Sequence, residues 1–165
     1  NREFNPFSER ETNPSAFMAI VEKSVLVHFS TQQMFDLVRA VADYPQFLPW
    51  CGAGSVEPVG ANIEKATVEI AFKGVKQSFC TMNKLTPHEE IHMTLVEGPF
   101  THLEGTWHFI ELTPEACKVH FKLAYEFSSK VLEQLVGPVF TSLANNFVDS
   151  FIKRAESLHS TGAGQ

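Results

Sequence analysis

Cysteines are scarce in this sequence, and their spacing excludes the usual cysteine-based sites. The chain of 165 residues contains three of them, Cys51, Cys80 and Cys117, and they lie far apart. Neither a zinc-binding spacing nor a disulfide framework accommodates them. We therefore predict three buried, reduced thiols and a reducing compartment, the cytoplasm.

Long apolar runs and catalytic signatures are also missing. No stretch of 18 apolar residues exists, so no segment is predicted to span a membrane. There is no glycine-rich phosphate loop, nucleophile elbow or cysteine–histidine couple. Four of the seven histidines fall mostly on the polar faces of predicted strands: His28, His102, His108 and His120. His88 and His92 are four residues apart, but on a turn and a strand rather than on one helix face. We predict neither a metal site nor an enzyme.

Positive charge is in deficit. Nineteen acidic residues outnumber thirteen lysines and arginines, which gives a net charge of −6. That balance argues against simple electrostatic binding of nucleic acid, and DNA is not an expected partner. It leaves room for a local basic patch. The length fits a single domain.

The two ends of the chain carry no hydrophobic periodicity. Residues 1–17 are polar and contain Pro6 and Pro14, so we predict a disordered N-terminal tail or a cloning remnant. Met18 looks like a natural start. The predicted domain covers residues 18–159, and residues 160–165 are expected to form a flexible tail.

Seven segments alternate between apolar and polar residues, which is typical of strands. Turn residues such as Gly74, Pro87 and Pro114 separate them. The predicted strands are residues 20–29, 53–59, 63–73, 75–85, 91–97, 103–112 and 117–127. Their one-sided patterns favour an antiparallel sheet with one solvated face.

The last part of the chain predicts a long helix over residues 130–159, about 40 Å in length. Ser128 or Ser129 is expected to cap its start. Gly137 and Pro138 are expected to bend it and divide it into two segments. Spacings of three and four place its apolar residues on one face: Leu132, Val136, Phe140, Leu143, Phe147, Phe151, Ala155 and Leu158.

Two short helices are predicted after the first strand. Ser30 caps the first, and Asp43 is expected to cap a second short piece over residues 44–50. The order of elements is therefore one strand, two short helices, six strands and one long helix. Such an order predicts an α+β fold in which a curved antiparallel sheet wraps around the long helix. The space between them is a natural ligand pocket.

Several motifs carry a family resemblance across residues 18–159. The most specific are residues 44–49 (YPQFLP), 95–100 (LVEGPF) and 105–109 (GTWHF). Supporting matches are Glu126-Phe127 before the last helix and Phe140, Leu143-Ala144, Phe151 and Arg154-Ala155 within it. Their order resembles the helix-grip fold of the START-like (SRPBCC, polyketide cyclase-like) superfamily. Within it, the chain is similar to the bacterial ribosome association toxin A family and to mitochondrial coenzyme Q-binding proteins. Trp50 is the residue type that the coenzyme Q-binding relatives tend to have.

The resemblance implies two functions. Coenzyme Q-binding relatives hold a polyprenyl quinone in the grip cavity and support respiration. The toxin relatives of toxin–antitoxin systems bind the large ribosomal subunit and block subunit association.

Our first hypothesis is a binding protein for an apolar, quinone- or lipid-like ligand such as ubiquinone, held without a covalent bond. Fifteen phenylalanines exceed what a small sheet and one helix need. Tyr44 is a candidate donor to a quinone carbonyl, as are the indole N–H groups of Trp50 and Trp107. The candidate binding residues are Tyr44, Phe47, Leu48, Trp50, Phe100, Leu103, Trp107, Phe140, Leu143 and Phe147. Exposed aromatics in residues 44–50 suit transient membrane contact. The alternative is that these side chains pack on one another and leave no void.

Our second hypothesis is a module that binds the large ribosomal subunit. Its support is an outward basic stripe that RNA would contact. The candidate residues are Lys73, Lys76, Lys84, Lys118 and Lys122. The alternative is an ordinary solvated sheet face, because acidic residues also point outward there.

Overall fold

The computed structural model describes residues 18–160, in which seven strands and one long helix dominate. The strands are β1 (Ala19–Val27), β2 (Cys51–Gly60), β3 (Ile63–Phe72), β4 (Val75–Thr86), β5 (Glu90–Glu97), β6 (Phe100–Thr113) and β7 (Ala116–Phe127). The helices are α1 (Thr31–Arg39), a 3₁₀ helix (Val41–Gln46), α2 (Lys130–Ala155) and a final π-helical turn (Glu156–Ser160). The tails predicted at residues 1–17 and 160–165 lie outside the described residues, except for Ser160, which ends the π-helical turn.

All seven strands form one antiparallel sheet in the order β1-β7-β6-β5-β4-β3-β2. Strands β2 to β7 follow one another as hairpins, and β1 pairs with the outer edge of β7. The alternation predicted for β7 is confirmed, since Val119 and Phe121 are fully buried and Lys122 is exposed. Register shifts in β2, β4 and β6 mark bulges, which bend strands and help the sheet curve.

Helix α2 is continuous from Lys130 to Ala155, so the predicted division at Pro138 is wrong. Ser129 caps its start as expected, with Oγ 3.1 Å from the backbone nitrogen of Leu132. Pro138 and Gln134 are both exposed. The carbonyl of Gln134, which has no N–H partner at Pro138, therefore belongs to the exposed side of the helix.

The apolar stripe of α2 is buried in its middle and less so at its ends. Phe140, Phe151 and Ala155 are buried as predicted. Leu158 is half exposed, so its assignment to the core is wrong. It falls in the π-helical turn, where the spacing of an α-helix no longer applies.

The two short elements close one end of the space under α2. Ser30 caps α1 through a reciprocal pair of hydrogen bonds with Gln33. The 3₁₀ helix begins at Val41 without a side-chain cap, so the predicted cap at Asp43 is wrong. Gly54 of β2 lets this helix approach closely, because a Cβ there would lie 2.2 Å from the carbonyl oxygen of Val41.

Candidate functional site

A cavity of about 80 Å³ lies between the inner face of the sheet and α2. Strands β3 to β7, α1, residues 41–50 and α2 all contribute to it. We call residues 41–50 the lid turn. The lining residues are Val38, Val41, Tyr44, Trp50, Ala66, Val68, Ile70, Phe79, Thr81, Asn83, Ile91, Met93, Leu103, Phe121, Leu123, Phe140, Leu143, Ala144 and Phe147. Nearly all of them present only carbon or sulfur, so the cavity favours an apolar occupant.

Larger hollows exist on the outside of the molecule but have a different character. One of about 710 Å³ lies beside α1 and the final helical turn, and another of about 880 Å³ lies near Met18 and Pro138. Both are open to solvent and lined by mixed polar and charged side chains. Of these three hollows within residues 18–160, the inner cavity has the largely apolar lining that the sequence predicts for a ligand pocket.

Six of the ten predicted binding residues line the cavity: Tyr44, Trp50, Leu103, Phe140, Leu143 and Phe147. The other four lie in the surrounding core: Phe47, Leu48, Phe100 and Trp107. Phe100 stacks on Phe127, with ring centroids 5.0 Å apart. Trp107 sits behind the wall against Phe121, at 4.5 Å.

Phe147 is the centre of one wall. Its ring lies 6.0 Å from that of Trp50, 5.7 Å from that of Trp107 and 4.9 Å from that of Phe151. The arrangements are tilted or edge-to-face, which aromatic pairs prefer. The predicted packing of aromatics on one another is therefore present, and it leaves a small void rather than none.

The solvent side of the cavity is formed by half-buried residues of the lid turn and α2, among them Trp50, Leu143 and Phe147. Arg154 ties the two elements together. Its guanidinium donates to Oε1 of Gln46 at 2.8 Å and lies 5.1 Å from the ring centre of Phe47. These contacts hold the lid turn on the helix.

The hydrogen-bonding groups predicted for a ligand are only partly free. The hydroxyl of Tyr44 donates to the carbonyl oxygen of Val38 at 2.5 Å, so its proton is not available to a ligand in this conformation. Burial raises the pKa of Tyr44, which keeps the phenol neutral. The indole N–H of Trp107 is buried and has no acceptor among residues 18–160.

Two polar residues of β4 were not predicted as part of the site. Thr81 and Asn83 both line the cavity and are buried. The strand pattern contained a signal for them, because they lie two residues apart between Phe79 and Leu85 and therefore share the inward face of the strand. A polar residue at an inward position of a strand is unusual enough to flag a site.

None of the described residues that line the cavity is charged. Within residues 18–160, no group of three or more histidine, cysteine, aspartate or glutamate side chains is arranged to hold a metal ion. The lining thus offers no ionisable acid or base apart from the neutral Tyr44. That the chain is not an enzyme stays a prediction.

With this geometry in place, the comparisons with known proteins can be interpreted. Residues 27–152 match the family described as polyketide cyclase/dehydrase and lipid transport. The chain belongs to that family. It is 43% identical over 142 residues to the ribosome association toxin RatA of Vibrio cholerae, covering 86% of this chain and 99% of that protein. It is 27% identical over 141 residues to the mitochondrial coenzyme Q-binding protein COQ10 homolog B of Xenopus laevis, covering 83% of this chain and 58% of that protein. The resemblance predicted from the motifs is confirmed.

Solved structures share the architecture of this chain. The Zhui aromatase/cyclase of Streptomyces sp. R1128 superposes with a TM-score of 0.69 at 17% identity, over 84% of this chain and 94% of that one. The predicted START-like helix grip is confirmed. At that identity the likeness shows the fold alone, and no enzymatic activity follows from it.

In this fold, the lysines proposed to contact RNA lie on different strands, at a distance from one another. Lys118 and Lys122 lie on the outer face of β7, whereas Lys76 and Lys84 lie on β4, with β5 and β6 between. Lys73 is in the turn that joins β3 to β4. Three strand spacings separate β7 from β4, about 14 Å. The structure therefore does not bring the five together as one stripe.

Carboxylates and histidines fill the surface between those lysines. Nε2 of His92 lies 2.7 Å from Oε2 of Glu104, and Nε2 of His120 lies 2.7 Å from Oε2 of Glu22. The predicted position of His120 on the polar face is confirmed, and Glu104 is also on the outside. This face is of mixed charge, which weakens a purely electrostatic attraction to RNA.

The predicted burial of the thiols is confirmed, and the three cysteines are free. Burial raises the pKa of Cys117 to about 11 and also raises that of Cys51. No helix within residues 18–160 is long and apolar enough to cross a membrane.

Proposed function

We propose that this chain binds a neutral, apolar, quinone- or lipid-like molecule such as ubiquinone, without a covalent bond, in the cavity between sheet and α2. The observation that carries the proposal is the uncharged, largely apolar lining of that cavity. Each CH₂ group moved from water into it would contribute roughly 0.8 kcal/mol. The coenzyme Q-binding name of the X. laevis relative agrees with this ligand class.

The size of the cavity means that binding requires side chains to move. Its volume of about 80 Å³ is close to half that of an engineered cavity that holds benzene, about 150 Å³. A substituted quinone ring therefore needs additional space. We expect the side chains of Leu143, Phe147 and Trp50 to change conformation, because they are half-buried and lie on the solvent side of the cavity. Displacing the lid turn would also expose its aromatics to a membrane surface, so we expect membrane contact to be transient.

Filling the cavity should abolish binding. In calorimetric titrations with ubiquinone-2, Leu143→Trp is expected to weaken the affinity at least tenfold, since the added ring occupies the space that the ligand needs. The matched control is Leu135→Trp, which makes the same change on an exposed position of α2. Equal affinity of Leu143→Trp and the unsubstituted protein for ubiquinone-2 would refute the cavity as the site.

A second candidate function is association with the large ribosomal subunit, which would block subunit association. The 43% identity to a ribosome association toxin over nearly its whole length is what favours it. Ribosome association requires the compartment that holds ribosomes, and buried, free thiols are in keeping with the cytoplasmic location that we propose.

The outer lysines of β7 provide the test of this second candidate. We expect the protein to co-sediment with large ribosomal subunits at low salt and to be released as salt rises, because phosphate contacts release counterions. The double reversal Lys118→Glu and Lys122→Glu is expected to abolish co-sedimentation. The control is the double reversal Lys130→Glu and Lys153→Glu on α2, which changes the net charge by the same amount. This control variant should still co-sediment. Failure to co-sediment at every salt concentration would exclude the function.

A further inference from the structure

Thr81 and Asn83 form a polar pair on the inner face of β4. They are 5% and 6% exposed, and both line the cavity. Oγ1 of Thr81 donates to Oδ1 of Asn83 at 2.7 Å. This bond fixes the orientation of the amide, because its oxygen is turned towards Thr81.

The hydrogen bond from Thr81 engages the oxygen of the Asn83 amide and not its nitrogen. The nitrogen Nδ2 carries two N–H groups, and Asn83 lines the cavity. An apolar side chain is the usual choice at an inward strand position, because it needs no hydrogen-bond partner. An occupant of the cavity that carries an acceptor would give the amide nitrogen a partner.

The other donors near the cavity are less suited to this task. The proton of the Tyr44 hydroxyl is held by the carbonyl oxygen of Val38. Trp107 has a free indole N–H but does not line the cavity. Trp50 lines it at the solvent side, where it is half-buried. Asn83 is thus a buried residue of the lining whose amide N–H groups are not engaged by its hydrogen bond with Thr81.

The charge of the acceptor is constrained by the same lining. No lysine, arginine or histidine is among the described residues of the cavity. A carboxylate or phosphate placed there would lose its hydration without gaining a counter-charge, which is strongly unfavourable. A neutral carbonyl oxygen has no such penalty and accepts an amide N–H well.

We propose that the ligand carries a neutral carbonyl oxygen on its apolar body and that Nδ2 of Asn83 donates a hydrogen bond to it. This inference rests on the proposed function, since it identifies the chemical class that the cavity selects. Quinones and neutral esters belong to that class. Free fatty acids and phosphate-bearing head groups do not.

Two probes of the same shape separate the hydrogen bond from apolar contact. Duroquinone is tetramethyl-1,4-benzoquinone, and durene is 1,2,4,5-tetramethylbenzene, a flat six-membered ring with four methyl groups but no carbonyl. We expect the protein to bind duroquinone about tenfold more tightly than durene. Asn83→Leu, which keeps the approximate volume, is expected to remove that tenfold preference by weakening duroquinone alone. If Asn83→Leu fails to fold, the infrared spectrum of duroquinone bound to the unsubstituted protein provides the test. A hydrogen bond from Asn83 should shift the stretching band of one carbonyl to lower frequency.

The outcomes distinguish this inference from the proposed function. Loss of the duroquinone preference in Asn83→Leu, or a shifted carbonyl band, supports the inference. Equal binding of both probes, an equal loss of both in Asn83→Leu, or an unshifted band overturns it while leaving an apolar cavity in place. If neither probe nor ubiquinone-2 binds the unsubstituted protein, the proposed function itself is wrong, and the inference falls with it.

Discussion

Replacing Phe151 by alanine is expected to lower the free energy of unfolding by about 3–5 kcal/mol. Phe151 is fully buried in α2, and its ring lies 4.9–5.4 Å from the rings of four other aromatic residues. These are Tyr44, Phe47, Trp107 and Phe147. Truncation would remove the contact between the lid turn, the helix and the sheet at once, and it would leave a cavity that the strands cannot close. Thermal unfolding should show a midpoint lower by roughly 6–20 °C.

The control for this substitution is Leu135→Ala on the same helix. Leu135 is 64% exposed, so its truncation should change the free energy of unfolding by no more than about 0.5 kcal/mol. The comparison separates burial from any general effect on helix α2. Similar unfolding midpoints for the two variants would show that α2 does not pack on the sheet through Phe151.

Raising the pH should destabilise the protein through its buried thiols. Burial raises the folded-state pKa of Cys117 to about 11, whereas in the unfolded chain the thiol ionises near its ordinary value. The stability that this neutral thiol provides is complete below the unfolded pKa and is lost as the pH rises towards the folded one. Between about pH 8 and pH 10.5, Cys117 alone should reduce the free energy of unfolding by about 2 kcal/mol. The raised pKa values of Cys51 and Tyr44 act in the same direction.

Cys117→Ala isolates this contribution from the other groups that ionise in alkali. The variant is expected to start from a lower stability at neutral pH and to lose about 2 kcal/mol less than the unsubstituted protein over the same pH range. Denaturant unfolding at a series of pH values measures both. Parallel pH profiles for the two proteins would mean that the Cys117 thiol ionises equally easily when folded.

Local patterns were enough to predict most of the fold. In β7, the alternation of Phe121 and Lys122 was sufficient to assign the inner and outer faces. Ser30 and Ser129 marked the starts of α1 and α2, because capping depends on residues only three positions away. The predicted break at Pro138 is wrong, because the sequence does not reveal that Pro138 and Gln134 lie on the exposed side of a continuous helix.

The site was harder to predict because it depends on tertiary packing. Whether an inward aromatic such as Trp107 or Trp50 faces the cavity or the core behind it is decided by differences of a few ångströms between strands. The predicted stripe of lysines depends on the strand order, which the sequence does not contain. In the structure, that order puts Lys84 three strands away from Lys122. Asn83 could have been found by asking which inward strand positions carry polar side chains.

The central claim is that the space between sheet and α2 holds a neutral apolar ligand. The most direct test is mass spectrometry of an organic extract of the protein purified without detergent. We expect a polyprenyl quinone or another neutral, carbonyl-bearing apolar molecule in near-stoichiometric amount from the unsubstituted protein and from Leu135→Trp, and little from Leu143→Trp. An empty extract from folded, unsubstituted protein that also fails to take up ubiquinone-2 would contradict the claim and make ribosome association the leading function.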